Sequence, residues 1–133
     1  MTPVFADTFY FLAIINPKDG AHRAAVDFSR LRREPVLTTE WVLIELADGL
    51  ARTPNRHLFQ QIQHDLRDSF DDVVVPCSQE LFDAGVQLYN ARPDKEWSLT
   101  DCISFAVMEQ HGVTEALTGD HHFEQAGFVA LLR

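Results

Sequence analysis

Residues 3–15 read Pro-Val-Phe-Ala-Asp-Thr-Phe-Tyr-Phe-Leu-Ala-Ile-Ile, and this stretch decides the fold. A short apolar run ends at Asp7, and a second apolar run, long enough for a helix, starts at Thr8. We interpret the first run as a strand, which places Asp7 at its carboxyl end, where open α/β sheets bind their ligands. The alternative is that Asp7 only caps the helix that follows it.

The rest of the chain repeats this alternation of strand-length apolar runs with longer stretches of helical period. The pattern predicts an α/β domain with a mostly parallel sheet of about five strands. The predicted strands lie near Val4–Ala6, Val36–Thr38, Val73–Val75, Ala116–Thr118 and Val129–Leu132. The predicted helices lie near Thr8–Ile15, Ala21–Arg33, Thr39–Ala51, Arg56–Phe70, Gln79–Ala91 and Thr100–His111. With 133 residues, the whole chain, residues 1–133, is expected to form a single domain.

Residues typical of helix ends mark several of these boundaries. Thr39 and Ser78 are predicted N-caps, and the segment Ser98–Asp101 resembles a capping box with aspartate in place of glutamate. Gly112 is expected to end the last long helix in a left-handed conformation.

The composition favours a soluble, cytoplasmic protein. Hydrophobic residues make up 46% of the chain, which is ample for one core, yet no apolar run approaches the length of a membrane span, about 20 residues. The N-terminus also lacks the basic and long apolar regions of a signal peptide. Cys77 and Cys102 have no metal-type spacing and are predicted to be small buried hydrophobes.

The formal net charge is -9, from 20 acidic against 11 basic residues, and it repels polyanions at long range. The basic residues are unevenly placed, however, because Arg23, Arg30, Arg32 and Arg33 fall in one short stretch. They predict either a basic patch on an acidic protein or an ordinary solvated helix face.

Three further carboxylates resemble Asp7 in lying against apolar residues. Glu45 is the only charge between Glu40 and Asp48, Asp101 heads an apolar run, and Asp120 follows Ala116-Leu-Thr-Gly. A lone buried carboxylate costs roughly several kcal/mol unless it is paired, hydrogen-bonded or bound to a metal. We therefore predict that Asp7, Glu45, Asp101 and Asp120 converge at one end of the sheet, close enough to share a hydrated cation.

Each of these acids also has a purely structural interpretation. Glu45 lies at the edge of the apolar stripe of its helix, where surface glutamates are common. Asp101 would satisfy free amides in a first helical turn, and Asp120 would cap a turn. Taken together, oxygen ligands without a cysteine partner indicate Mg²⁺ or Mn²⁺.

Other chemistries find less support. His121 and His122 are not expected to be ligands, because adjacent helical residues point about 100° apart and no further histidine lies at zinc-like spacing. No nucleophile elbow and no glycine-rich phosphate loop occur. A haloacid-dehalogenase-type phosphatase would need a second acid two residues after Asp7, and that position is Phe9.

Four segments together resemble the PIN-domain nucleases, most closely the short VapC-like toxin ribonucleases. They are Val4–Thr8, Leu37–Glu45, Ser98–Asp101 and Leu117–Phe128, and they occur in family order along essentially the whole chain. The resemblance implies a three-layer α/β/α domain that cuts single-stranded RNA with Mg²⁺ or Mn²⁺.

Carried onto this chain, the resemblance implies that Asp7, Glu45, Asp101 and Asp120 are the catalytic metal ligands. Thr8 and Ser98 match the hydroxyl residues that support them in the family. Many relatives carry a further acid after the last aspartate, whereas this chain has His121 and His122. The number of metal ions, one or two, is therefore left open.

The resemblance also implies partners. A VapC-like toxin would be masked by a cognate antitoxin, whose basic segment enters the acidic site. The apolar surplus of Phe9, Phe11, Leu12, Ile14 and Ile15 favours a homodimer, because surplus apolar surface tends to be covered by another chain. The alternatives are a free-standing nuclease and a catalytically silent PIN-like interaction module.

Overall fold

The structure, a computed structural model, describes all residues from 1 to 133 and contains a five-stranded parallel sheet with seven helices. The strands are β1 Val4–Ala6, β2 Val36–Thr39, β3 Val73–Val75, β4 Glu115–Leu117 and β5 Val129–Ala130. The helices are α1 Thr8–Ile15, α2 His22–Leu31, α3 Glu40–Leu50, α4 Leu58–Asp68, α5 Gln79–Ala91, α6 Leu99–Gln110 and α7 His121–Gln125. The predicted α/β class with a parallel sheet of about five strands is confirmed.

The strand order explains why the sheet has helices on both faces. The order is β3-β2-β1-β4-β5, so the chain moves outward from β1 in one direction and then returns to add β4 and β5 on the other side. Parallel connections are almost always right-handed, and this reversal therefore places α1 to α4 on one face and α5 to α7 on the other. The neighbours β1 and β4, paired through Phe5 and Ala116, form the switch point, where such sheets bind ligands.

The core lies around β1, whose residues are all buried. Phe5 faces Phe123 of α7, and Phe105 of α6 packs edge-on against both Phe123 and Trp97. Helices α5 and α6 approach closely at Gly85, where a Cβ atom would lie 2.3 Å from the Ile103 side chain. These contacts pack α6 and α7, the two helices that carry the later acids, against the sheet.

The predicted cap residues agree with the structure, whereas the helices predicted at Ala21–Arg33 and Arg56–Phe70 are shorter at both ends. Thr39 and Ser78 accept backbone hydrogen bonds as N-caps, and Ser98 and Asp101 form a complete capping box. Gly112 has a φ of 65°, the left-handed conformation expected at the end of α6. Short-range cap chemistry was therefore enough to define these boundaries.

Two local predictions were wrong. Helix α7 was not foreseen, because its five residues, His121–Gln125, are too few and too polar to show a helical apolar period. Cys77 is exposed rather than buried, whereas Cys102 is buried as predicted. Cys77 follows the edge strand β3, where the sheet offers no neighbouring strand to cover it.

The apolar run of α1 is covered largely by the chain itself. Tyr10, Phe11 and Ala13 are buried, and Leu12, Ile14 and Ile15 pack against the core while partly exposed. The homodimer inferred from this run therefore remains a prediction. No helix is both long and apolar enough to cross a membrane.

The arginine stretch does not form an unpaired basic patch. Arg23 lies 4.0 Å from Asp27 in an exposed ion pair, and Arg32 lies 3.4 Å from Asp72. Arg23 is thus part of a solvated helix face, whereas Arg32 lies beyond the end of α2 in a largely buried ion pair, so the stretch is neither one basic patch nor one solvated face.

Candidate metal and active site

Asp7 occupies the end of β1 with its side chain turned into the protein. It is 6% exposed, and its Oδ2 accepts a hydrogen bond from the Thr118 hydroxyl at 3.0 Å. Asp7 stands at the N-cap position of α1 but makes no side-chain capping bond, so the capping alternative is wrong. The burial of this carboxylate needs another explanation.

Burial raises the pKa of Asp7 from 3.8 to about 7. The hydrogen bond from Thr118 lowers this pKa, while the negative charges of Asp101 and Glu45 raise it further. The charged form of Asp7 is therefore unfavourable in the protein alone. A cation beside it would reverse that preference.

Glu45 reaches the same region from α3. Its Oε1 accepts a hydrogen bond from the Thr8 hydroxyl at 2.5 Å, so the residue after Asp7 orients this second carboxylate. Glu45 is exposed, and the argument that apolar neighbours penalise its charge was wrong. The buried residues of α3 are Val42, Leu43, Leu46 and Leu50, which form the predicted apolar stripe.

Asp101 lies in the first turn of α6, where it has two roles. Its Oδ2 accepts a hydrogen bond from the Ser98 amide at 3.2 Å, which completes the capping box, and it lies 3.1 Å from Nδ1 of His122. Burial raises the pKa of Asp101, and the charge of Asp120 adds to the rise. The capping interpretation of Asp101 is thus correct, and the same carboxylate also faces the other acids.

Asp120 caps α7. Its Oδ1 accepts a hydrogen bond from the His122 amide at 2.9 Å, and its own amide donates to the Thr118 hydroxyl at 3.0 Å. Gly119 precedes it, and a Cβ atom there would lie 2.5 Å from the Phe9 ring. Only glycine lets the chain pass this close to α1, and this approach brings Asp120 toward the end of β1.

The structure thus brings the four predicted acids to one end of the sheet through a continuous set of contacts. The charges of Asp101 and Glu45 raise the pKa of Asp7, and the charge of Asp120 raises the pKa of Asp101. In Glu45, Asp101 and Asp120, a single oxygen takes all the hydrogen bonds and the other has none. Two desolvated carboxylates, Asp7 and Asp101, beside two more accessible ones with oxygens to spare fit a divalent cation well.

The closest grouping of potential ligands combines one of these acids with two histidines. Asp120, His121 and His122 are the only three acidic, histidine or cysteine side chains whose ligand atoms all lie within 4.8 Å of one another. The argument that adjacent histidines point too far apart was therefore wrong. Both side chains turn back toward the capping aspartate at the helix start.

Thr118 is the residue of the site that sequence reasoning missed, whereas His122 was considered and set aside. Thr118 is fully buried, donates to Asp7 and accepts from Asp120, so one hydroxyl positions two of the four acids. A threonine two residues before a helix-capping aspartate is a recognisable turn signal. Its bond to Asp7, 111 residues away, has no sequence signature.

Replacing Thr118 by valine should lower the free energy of unfolding by about 1–3 kcal/mol, because it leaves Asp7 and the Asp120 amide without their partner. Urea unfolding of the metal-free protein measures this change. Thr118→Ser, which keeps the hydroxyl, is the matched control and should lose less. Equal losses in the two variants would mean that packing of the methyl group, and not the hydrogen bonds, accounts for the effect.

Comparisons with known proteins agree with this architecture. A family model described as the PIN domain matches residues 4–129. The 23S rRNA-specific endonuclease VapC20 of Mycobacterium tuberculosis is 29% identical over 126 residues, which cover 95% of each chain.

Solved structures give the same picture. The crystal structure of Mycobacterium tuberculosis VapC20, a sarcin-ricin loop cleaving toxin, matches with a TM-score of 0.85 at 27% identity, over 95% of this chain and 96% of that one. FitAcB from Neisseria gonorrhoeae matches with a TM-score of 0.67 at 21% identity, over 96% and 94% of the two chains. FitAB bound to the IR36 DNA fragment matches with a TM-score of 0.69 at 19% identity, over 96% and 92%. The last two likenesses show the fold alone.

Proposed function

Because the chain belongs to the PIN-domain family, we propose that it is a metal-dependent endoribonuclease, with residues 1–133 forming one nuclease domain. It cuts single-stranded RNA in the cytoplasm as the toxin of a toxin–antitoxin pair. The observation that carries this proposal is the group of acids at the switch point of the sheet, which includes a buried Asp7 with a raised pKa. The similarity to VapC20, an rRNA endonuclease, supports RNA as the substrate.

The proposed ligands of Mg²⁺ or Mn²⁺ are Asp7, Glu45, Asp101 and Asp120. A divalent ion bound there would stabilise negative charge on the phosphoryl group and lower the pKa of the attacking water. The Thr8 hydroxyl donates a hydrogen bond to Glu45, the Thr118 hydroxyl to Asp7, and the Ser98 amide to Asp101. Each of these bonds engages one carboxylate oxygen. The carboxylates are thereby oriented before substrate arrives, which limits the reorganisation needed during the reaction.

The same acids make RNA binding depend on the cation. Without it, a scissile phosphate would approach a cluster of carboxylates on a protein of net charge -9. RNA loops and other unpaired segments are the expected substrates, because their backbone can enter such a site without a duplex to open.

A cleavage assay tests the proposal. The purified protein is incubated with an RNA stem-loop in Mg²⁺, in Mn²⁺ and in EDTA, and the products are resolved on a gel. Cleavage within the loop in either metal, and none in EDTA, is expected. Intact RNA under every condition, across rRNA fragments as well as short loops, would favour the alternative of a silent interaction module.

Mg²⁺ should raise the melting temperature of the wild-type protein, because a ligand that binds only the folded state stabilises it by mass action. At 100 times the dissociation constant the gain is about 2.7 kcal/mol. Differential scanning fluorimetry over a Mg²⁺ titration measures the shift. Asp7→Asn should show a much smaller shift, and an equal shift in that variant would place the ion elsewhere.

The proposed partners are a second copy of the chain and an antitoxin. An arginine of the antitoxin would compete with the metal for Asp7 and Asp101, because a guanidinium pairs with carboxylates through two hydrogen bonds. Light scattering at micromolar concentration is expected to give the mass of a dimer, and a strict monomer would contradict this. Co-expression with the product of the neighbouring reading frame is expected to relieve growth arrest, and failure to do so would contradict the antitoxin.

A further inference from the structure

The first turn of α7 brings three potential metal ligands together. Asp120 is the N-cap, and the two histidines that follow place Nδ1 of His121 and Nδ1 of His122 at 3.6 Å and 3.5 Å from Asp120 Oδ1. The two imidazole rings lie against each other, with their centroids 4.5 Å apart. We propose that Asp120, His121 and His122 form a nitrogen-containing site for a divalent transition-metal ion, beside the carboxylate site.

The distances suit a shared ion. Protein ligands lie about 2.0–2.2 Å from such an ion, so neighbouring ligand atoms on it are roughly 3.0–3.5 Å apart. The two separations from Asp120 Oδ1 fall close to this range. All three ligand atoms lie within 4.8 Å of one another, and a bound ion would draw them into this range.

Hydrogen bonding explains only part of this arrangement. The His122 side chain is 17% exposed, and its Nδ1 lies near both Asp101 and Asp120. The His121 side chain is 57% exposed and has no hydrogen bond of its own, yet it turns toward the same carboxylate oxygen. On binding, each neutral imidazole would coordinate through an unprotonated Nδ1 and keep its single proton on Nε2, so no proton need leave the ring. Asp101, 3.1 Å from His122, would then accept no hydrogen from that nitrogen and would add negative charge beside the ion.

The ligand type selects the ion. Imidazole nitrogen favours Co²⁺, Ni²⁺ and Zn²⁺, whereas Mg²⁺ takes oxygen ligands and water. The neighbouring acids Asp7 and Glu45 offer only oxygen. The chain would therefore present a hard site and a softer site that meet at Asp101 and Asp120. This inference deepens the proposed function and rests on it for the role of the first site.

Calorimetric titration of the metal-free protein with Co²⁺ and, separately, with Mg²⁺ tests the proposal, and the visible absorption of bound Co²⁺ reports nitrogen ligation. His121→Asn and His122→Asn are expected to weaken Co²⁺ binding at least about 10-fold and to change its spectrum. In His121→Asn, whose ring has no hydrogen bond to the acids, the Mg²⁺ affinity should change less than about threefold, whereas His122→Asn also removes a partner of Asp101. His57→Asn, at an exposed histidine away from the site, is the matched control. If His122→Asn proves unstable, His121→Asn still tests the proposal, because His121 is exposed and its substitution should not affect folding.

Unchanged Co²⁺ affinity in both histidine variants would overturn the proposal. Equal losses of Co²⁺ and Mg²⁺ affinity in His121→Asn would also overturn it, since that histidine would then only position the carboxylates. The titrations need no RNA. A wild-type protein that binds Co²⁺ through histidine but cuts no RNA would contradict the proposed function and leave this site standing.

Discussion

Replacing Asp7 by asparagine is expected to lower the rate of RNA cleavage by at least about 100-fold, the scale of losing one group that stabilises transition-state charge. The asparagine side chain can still accept the hydrogen bond from Thr118, so the fold should persist. The substitution also removes a buried negative charge, which destabilises the metal-free protein. We therefore expect the variant to be as stable as the wild type or more so at about pH 8.

Asp101→Asn should lose activity to a similar extent, because the amide oxygen can keep the capping bond to Ser98 while the charge is lost. Asp71→Asn is the control, since Asp71 is exposed and precedes β3 at the opposite end of the strands. Cleavage rates and unfolding curves of the three variants separate the two roles of these acids. A sharply unstable but active Asp101→Asn protein would mean that Asp101 is a capping residue only.

The metal-free protein is expected to lose stability as the pH rises from about 5 to about 8, with roughly 2–3 kcal/mol of the loss due to Asp7. Its pKa is about 7 in the folded state against an ordinary value of 3.8. Between these values the folded state keeps a proton that the unfolded state has released. The stabilisation is thus fully present below pH 3.8 and is lost as the pH passes through 7, at up to about 1.4 kcal/mol per pH unit.

Urea unfolding at several pH values measures this dependence, and Asp7→Asn isolates it. The difference in unfolding free energy between variant and wild type should grow with pH and level off above about pH 8. Saturating Mg²⁺ should remove most of the dependence in the wild type, because the cation takes over the role of the proton. A difference that does not change with pH would mean that Asp7 is ionised throughout this range and has its ordinary pKa.

The sequence alone was enough to predict the architecture. Alternating apolar runs located every strand, and cap residues such as Thr39, Ser78 and Gly112 located the helix ends, because both signals act over a few residues. The order of the acids along the chain, with Asp7 at the end of a strand and Asp101 and Asp120 at the start of helices, was also readable, although Glu45 lies in the middle of α3. It was enough to predict that they meet, since the carboxyl ends of parallel strands share one edge.

Only the tertiary structure decided how the acids differ from one another. Asp7 is buried and Glu45 is exposed, although both lie among apolar residues in the sequence. Burial depends on which other parts of the chain pack over each residue. The hydroxyl of Thr118 reaches Asp7 across 111 residues, and His122 reaches Asp101 across 21. Such contacts depend on how separate elements pack in three dimensions, and local periodicity carries no information about that.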